Sequence, residues 1–304
     1  MNNSKAKITV CSPLHNVHDS EAIVEALYEQ LKAQTFQNFE WILVCEGGRF
    51  AFTPPEESDF PVKVLFQKSA GRHRAINKAI ESAAGEFFTV LDAGAVLKAD
   101  AFVRLLENWK SIPSQERPYF VSVAGVTALP DGSIDGSKFP ASPFDSNSIE
   151  TGTHYGINGR KWGIILTEAL REQPYPVFKG ERFVPEELLL NRIGRKRLTR
   201  YFNEPLITLP PPQKRSAELA RWAESPRASA LFYNELSEQR IPLAHRIRAS
   251  AHYVRYSMHA GEIPDNIYKQ ANKKLITFFM LWPGLFMYKR DLKLLNARPS
   301  NAAN

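Results

Sequence analysis

Cysteine is scarce in this 304-residue chain: Cys11 and Cys45 are the only two, and each closes an apolar run, Ile8-Thr9-Val10-Cys11 and Trp41-Ile42-Leu43-Val44-Cys45. That scarcity excludes a disulfide-stapled scaffold and the paired spacings of a structural zinc site, so both thiols read as core residues in a reducing compartment. A secretory leader is missing as well. Residues 1–7 are largely polar or basic and run straight into a strand pattern, whereas a leader needs an apolar region of about 7–15 residues. The expected location is cytoplasmic. Nor is there an apolar run long enough to cross a bilayer, which takes about 20 residues. The stretch Leu275 to Tyr288 spans 14, between Lys273 and Lys274 on one side and Lys289 and Arg290 on the other. Such flanks suit a helix lying in a membrane interface, as peripheral attachment requires, and equally a C-terminal helix packed on the body.

What the chain has is apolar content and positive charge. With 43% of residues apolar it can bury a large core and is not disordered. Lys and Arg number 39 against 32 acidic residues, a formal charge of +7, which favours anionic partners: a nucleotide diphosphate, an acidic lipid surface or nucleic acid.

Short apolar runs alternate with helix-period segments from the start, the pattern of parallel strands joined by crossovers. Strands are expected over 7–12, 41–45, 62–66, 87–91 and 120–124. Helices are expected after a cap at Asp19 or Ser20, with Ile23, Ala26, Leu27 and Leu31 on one face, and over 70–83, 99–110 and 185–194. The Pro-, Gly- and Ser-rich stretch 127–153 reads as a long loop. Ligands in such sheets gather at the carboxyl ends of strands, which puts Pro13, Glu46 and Asp92 on one crevice. Past Pro210 the composition turns helical, dividing the chain into residues 1–210 and 211–304.

Four separated blocks then carry a resemblance. They are Ile8 to Asn16 followed by Gln34-Thr35-Phe36 and Phe39-Glu40; Val44-Cys45-Glu46-Gly47-Gly48; Gly71 to Ile80 with Ala84 to Asp92; and Lys161-Trp162-Gly163 with Pro174-Tyr175-Pro176, Gly180 to Glu186 and Asn191-Arg192-Ile193. Over residues 7–208 they resemble the inverting family 2 glycosyltransferases, and the last block resembles a subgroup associated with polysaccharide assembly. The resemblance implies an α/β fold of the GT-A (Rossmann-like) type, a mostly parallel sheet flanked by helices, with a helical C-terminal extension. It also implies a nucleotide-sugar donor, a UDP-sugar being favoured, and a glycan or lipid-linked acceptor.

Carried over residue by residue, it places Pro13, Asn16, Glu46, Arg72, Arg74, Asn77 and Asp92 at the donor, Glu46 standing where the family has an Asp that recognises the base. Glu186 falls at the position of the catalytic base, with Glu187 as the second candidate; adjacent helical residues point about 100° apart, so one of them faces the substrate. Trp162 offers a stacking surface to an acceptor sugar or, alternatively, packs against the sheet. The family's metal-binding run, Asp-Ala-Asp-Asp or a close variant, reads here Asp92-Ala93-Gly94-Ala95. Asp92 alone implies weakened binding of Mg or Mn, and the clusters Arg72-His73-Arg74 and Arg192, Arg195, Lys196 and Arg197 offer cations in the metal's place. Two other readings stay open: an inactive scaffold of the same fold that binds a glycan or nucleotide, and a basic nucleic-acid-binding protein built on the Arg-rich segments 191–200 and 245–255, for which no zinc spacing or RRM-type aromatic motif is present.

Overall fold

A computed structural model describes residues 6–14, 20–47, 58–68 and 71–296; Asn16 and Asp19 lie outside them. The strands in chain order are β1 (Ile8–Leu14), β2 (Phe39–Glu46), β3 (Val62–Gln67), β4 (Phe87–Val90), β5 (Val96–Leu97), β6 (Phe120–Val126), β7 (Phe144–Ser146), β8 (Lys161–Leu166), β9 (Leu198–Phe202) and β10 (Ile207–Thr208). The helices are α1 (Ser20–Lys32), α2 (Arg72–Ser82), α3 (Ala101–Lys110), α4 (Ser148–Thr153), α5 (Thr167–Glu172), α6 (Glu186–Gly194), α7 (Arg215–Glu224), α8 (Pro226–Glu238), α9 (Leu243–His259), α10 (Pro264–Gln270) and α11 (Lys274–Asn296).

Eight strands form one sheet in the order β3-β2-β1-β4-β8-β6-β9-β7. Its first four strands are parallel, β8 runs antiparallel to β4 and β6, β9 is parallel to β6, and β7 is antiparallel to β9. This is the expected mostly parallel α/β sheet with helices about it. The central strands β1 and β2 are buried along both faces, which is why they read as near-continuous apolar runs rather than alternating ones. Cys11 and Cys45 are free, buried thiols within them. In α1 the inward face is Val24, Leu27, Tyr28 and Leu31, while Ile23 is exposed; the expected face was rotated by one position.

Two glycines show how closely the backbone packs. A Cβ on Gly85 would sit 2.4 Å from Thr9 N, and one on Gly163 would sit 1.9 Å from Val123 O. Both lie in blocks that carried the resemblance, and both are needed for contact between neighbouring segments.

The stretch 127–153 is not simply a loop. It contains the edge strand β7 and the helix α4, whose cap is the Asn147 side chain accepting from Ile149 N and Glu150 N. Phe139 stacks on Phe144 and Tyr201, and Asp145 takes Arg200 through both oxygens at 2.9 and 2.7 Å. Three-residue strands among Pro and Gly give no periodic signal, so composition hid them.

The chain divides into two compact units, Met1–Tyr175 with Leu189–Pro211, and Pro176–Leu188 with Pro212–Asn304. The expectation had put Pro176–Leu188 with the sheet. Its side chains explain the difference. Glu181 is buried and caps α8, accepting from Arg227 N at 2.8 Å and Ala228 N at 2.9 Å. Phe183 packs edge-on against Trp222, with Arg221 over its ring, and its N–H donates to Ser225 Oγ. The second unit is helical and has its own core around Tyr253, Val254, Tyr256 and Ile267.

Candidate functional site

The carboxyl ends of β2 and β4 meet the start of α2 in the first unit. Gly71 precedes α2 with φ 98°, a left-handed value that suits glycine. Glu46, the last residue of β2, is buried and accepts from Gly71 N at 2.8 Å and from Gln67 Nε2 at 2.8 Å. The next residue, Arg72, reaches Asp92 just past β4 and donates through Nε at 3.0 Å and Nη2 at 2.8 Å, one bond to each carboxylate oxygen. A continuous line, Glu46 to Gly71, Arg72 and Asp92, therefore runs along this edge of the sheet. Pro13 is half-buried in β1, in register with Val44 of β2. Arg74 is half-buried in the first turn of α2.

Toward the opposite, amino end of β2 lies a second carboxylate that sequence reasoning singled out without a role. Glu40 is buried and accepts from Thr9 Oγ1 and Lys63 Nζ, both at 2.7 Å, and from Ala84 N. Burial pushes its carboxyl up, and the bonds from Lys63, Ala84 and Thr9 outweigh that and hold it below the ordinary value of 4.5. It ties β1, β3 and the turn after α2 together. Its position as a charge near the start of a fully buried strand is the signal that marks it.

Two expected ligands are otherwise engaged. Asn77 donates to Tyr175 O at 2.9 Å and accepts from Tyr175 N at 3.0 Å, so its amide clamps the backbone there rather than facing a donor. Trp162 is buried in the core and its indole N–H donates to Val90 O at 2.8 Å. It packs against the sheet and offers an acceptor sugar no face.

The run after β4 does not fit a divalent cation. Both Asp92 oxygens are taken by Arg72, and Ala93, Gly94 and Ala95 supply no side-chain ligand. Among the described residues no group of three or more His, Cys, Asp or Glu side chains is placed to hold a metal. Mg and Mn want carboxylate oxygens free to coordinate, so the cation beside Asp92 in this arrangement is a guanidinium.

Residues 9–116 match the family described as Glycosyl transferase family 2. That segment is similar to the family 2 glycosyltransferases. Over 96 residues it is 31% identical to the candidate glycosyltransferase EpsH of Bacillus subtilis (strain 168), a match to 30% of this chain and 28% of that protein. The similarity thus spans less than a third of the curated relative. Among solved structures, TarS of S. aureus superposes with a TM-score of 0.61 at 12% identity, over 94% of this chain and 55% of TarS. Its 1-349 fragment gives 0.60 at 13% identity, over 97% and 93%. Likeness at that identity is one of fold, and the fold is GT-A. The line from Glu46 to Asp92 lies wholly inside the segment that matches the family.

Glu186 and Glu187 open α6 in its first turn and both are exposed. The surrounding protein partly desolvates Glu187 and raises its carboxyl above the usual range, the charge of Glu186 adds to this, and Arg221 opposes it. Each Arg-rich segment contributes a buried arginine held in an ion pair. Arg200 is bound to Asp145, and Arg255 to Asp291. Those two cations serve the fold rather than an exposed nucleic-acid face.

Proposed function

We propose that this protein moves a sugar from a nucleotide diphosphate donor, a UDP-sugar in preference, to a hydroxyl of a glycan or lipid-linked acceptor, with inversion at the anomeric carbon. The observation that carries the reading is the Glu46–Gly71–Arg72–Asp92 line at the carboxyl edge of the sheet, inside the family 2 segment. That edge is where α/β sheets bind ligands. The positive end of α2 favours phosphate there, and the TarS 1-349 fragment of similar fold has been solved with UDP and with UDP-GlcNAc.

In this scheme Glu46 holds the start of α2 in place for the nucleotide, and Arg72, oriented by Asp92, pairs with the diphosphate oxygens. A guanidinium binds such oxygens bidentately. As the bond from the anomeric carbon to the diphosphate breaks, the leaving group gains negative charge, which Arg72 stabilises in place of a metal. Glu186 accepts the acceptor's hydroxyl proton while that oxygen attacks from the opposite face. Glu187 is the alternative base, and its raised carboxyl makes it the stronger proton acceptor once ionised.

The test is release of nucleoside diphosphate from UDP-, GDP- and dTDP-sugars in the presence of glycan and polyprenyl-phosphate acceptors. One donor is expected to turn over, with kcat lowered about 100-fold or more in Glu186→Gln. Turnover unchanged in Glu186→Gln and lost in Glu187→Gln would move the base to Glu187. No turnover of any donor would leave an inactive scaffold of this fold as the better account.

A further inference from the structure

Helix α11 has two faces of opposite fates. Thr277, Gly284 and Asp291 point inward and are buried. A Cβ on Gly284 would sit 2.5 Å from Val254 Cβ, so α11 and α9 are in close contact there. Asp291, fully buried, is bound by Arg255 through both oxygens and by His259 at 3.1 Å. Tyr288 meets the His259 ring edge-on. These contacts fix the rotation of α11 about its axis.

The opposite face is left in solvent. Leu275, Phe278, Phe279, Trp282 and Phe286 follow one another at helical spacing and are 57–78% exposed. From Leu275 to Phe286 the stripe runs about 16 Å at the helical rise of about 1.5 Å per residue. A helix apolar on all sides is normally buried on all sides, and a contiguous exposed apolar stripe marks an interaction surface. No helix among the described residues is long and apolar enough to cross a membrane.

Charge decides what covers it. Lys274 lies at one end of the stripe and Lys289, Arg290 and Lys293 at the other, all exposed. The lone acidic residue of α11, Asp291, is buried in its ion pair. A second copy laid face to face on this helix, parallel or antiparallel, would bring cations against cations. An anionic lipid surface meets both features at once: acyl chains take the Phe and Trp side chains, and headgroup phosphates take the Lys and Arg side chains bracketing them. Trp at the boundary and cations at the ends match the preferences of a helix lying in the plane of the interface.

We infer that the exposed face of α11 docks this protein on the surface of an anionic bilayer, with Phe278, Phe279, Trp282 and Phe286 inserted and Lys274, Lys289 and Arg290 at headgroup level. The docking is independent of sugar transfer, so it is tested without it. The full chain is floated with vesicles of phosphatidylcholine alone and of phosphatidylcholine with phosphatidylglycerol, while tryptophan emission is followed. Trp282 is 78% exposed, and its insertion shifts the emission to the blue.

The expected result is binding to the phosphatidylglycerol vesicles, weaker by roughly tenfold on neutral ones, since each cation near the surface adds a further several-fold. The double variant Phe279→Ser, Trp282→Ser is expected to lose about tenfold or more in binding. Both side chains are exposed, and an unchanged far-UV circular dichroism spectrum confirms that the variant is folded. Absence of flotation with anionic vesicles overturns the inference, as does flotation of the double variant equal to that of the unaltered chain. A dimer in solution that the double variant splits, with no vesicle binding, assigns the face to a second copy instead.

Discussion

Arg72 and Asp92 hold each other through two parallel hydrogen bonds, at 3.0 and 2.8 Å, at the place where the family 2 pattern sets a carboxylate pair for a metal. The chain keeps the first carboxylate of that pattern and has glycine in place of the second. The charge balance is restored by a guanidinium carried on α2. A charge-assisted bond of this kind contributes about 1.5–3 kcal/mol. If Arg72 makes one to the diphosphate, Arg72→Ala should weaken donor binding by about 10–100-fold. Asp92→Ala, which frees Arg72 without removing it, should weaken binding less. A metal bound by Asp92 would reverse that order, and titration of both variants with the preferred donor separates the cases.

Glu187 should cost the protein stability at neutral pH. Its folded carboxyl lies above the ordinary value of 4.5, chiefly because the surrounding protein desolvates it. A raised carboxyl favours the protonated form in the folded state, so its stabilising contribution is present below the unfolded pKa and is lost as pH rises through the folded one. Glu187→Gln is therefore expected to raise Tm at pH 7.5, with the gain shrinking as pH falls toward 4. Equal Tm values for the two proteins across that range would remove the assigned environment.

Gly85 sits where its missing Cβ lets the turn before β4 pack against the start of β1. Gly85→Ala would drive a methyl to within 2.4 Å of Thr9 N in β1. It would also disturb the bond from Gly85 N to Thr9 Oγ1, which in turn donates to the buried Glu40. A loss of about 2 kcal/mol or more is expected from such overpacking, measurable as a lower urea midpoint with an unchanged slope.

Asp291 should hold the helical unit together. Burial pushes its carboxyl up, and the bonds from His259 and Arg255 more than offset this and hold it below 3.8. A depressed carboxyl contributes stability above its unfolded pKa that is lost as pH falls through the folded value. Asp291→Ala leaves Arg255 buried and unpaired, which should cost about 3–5 kcal/mol at pH 7. The same substitution should cost less near pH 3, so the gap in Tm between variant and parent should narrow on acidification.

Much of the sheet was legible because β1, β2 and β4 are buried runs and α2 and α3 are amphipathic, each a periodic signal of its own. β7, β8 and β9 were not recognised as strands. β7 has three residues, β8 contains Trp162 and Gly163 that read as a motif, and β9 contains Arg200, whose charge is answered by Asp145 far away in sequence. The donor edge was legible as a set of residues but not as a set of bonds. Sequence order brings Arg72 and Asp92 into one block without showing that they pair, and nothing in it distinguishes Asn77 facing a ligand from Asn77 clamping Tyr175. The two faces of α11 were hidden for the opposite reason: apolar residues run all round the stretch 275–288, and it is Gly284 against Val254 and the buried pair of Arg255 and Asp291 that tell which side turns inward.

Calorimetric titration of UDP-sugars into the unaltered chain and into Arg72→Ala, each with Mn and with chelator, tests the central claim most directly. Binding that is equal with metal and with chelator, and that falls by about 10–100-fold in Arg72→Ala, is the predicted result. Binding that needs Mn and survives Arg72→Ala would contradict it, returning the diphosphate to a metal held by Asp92.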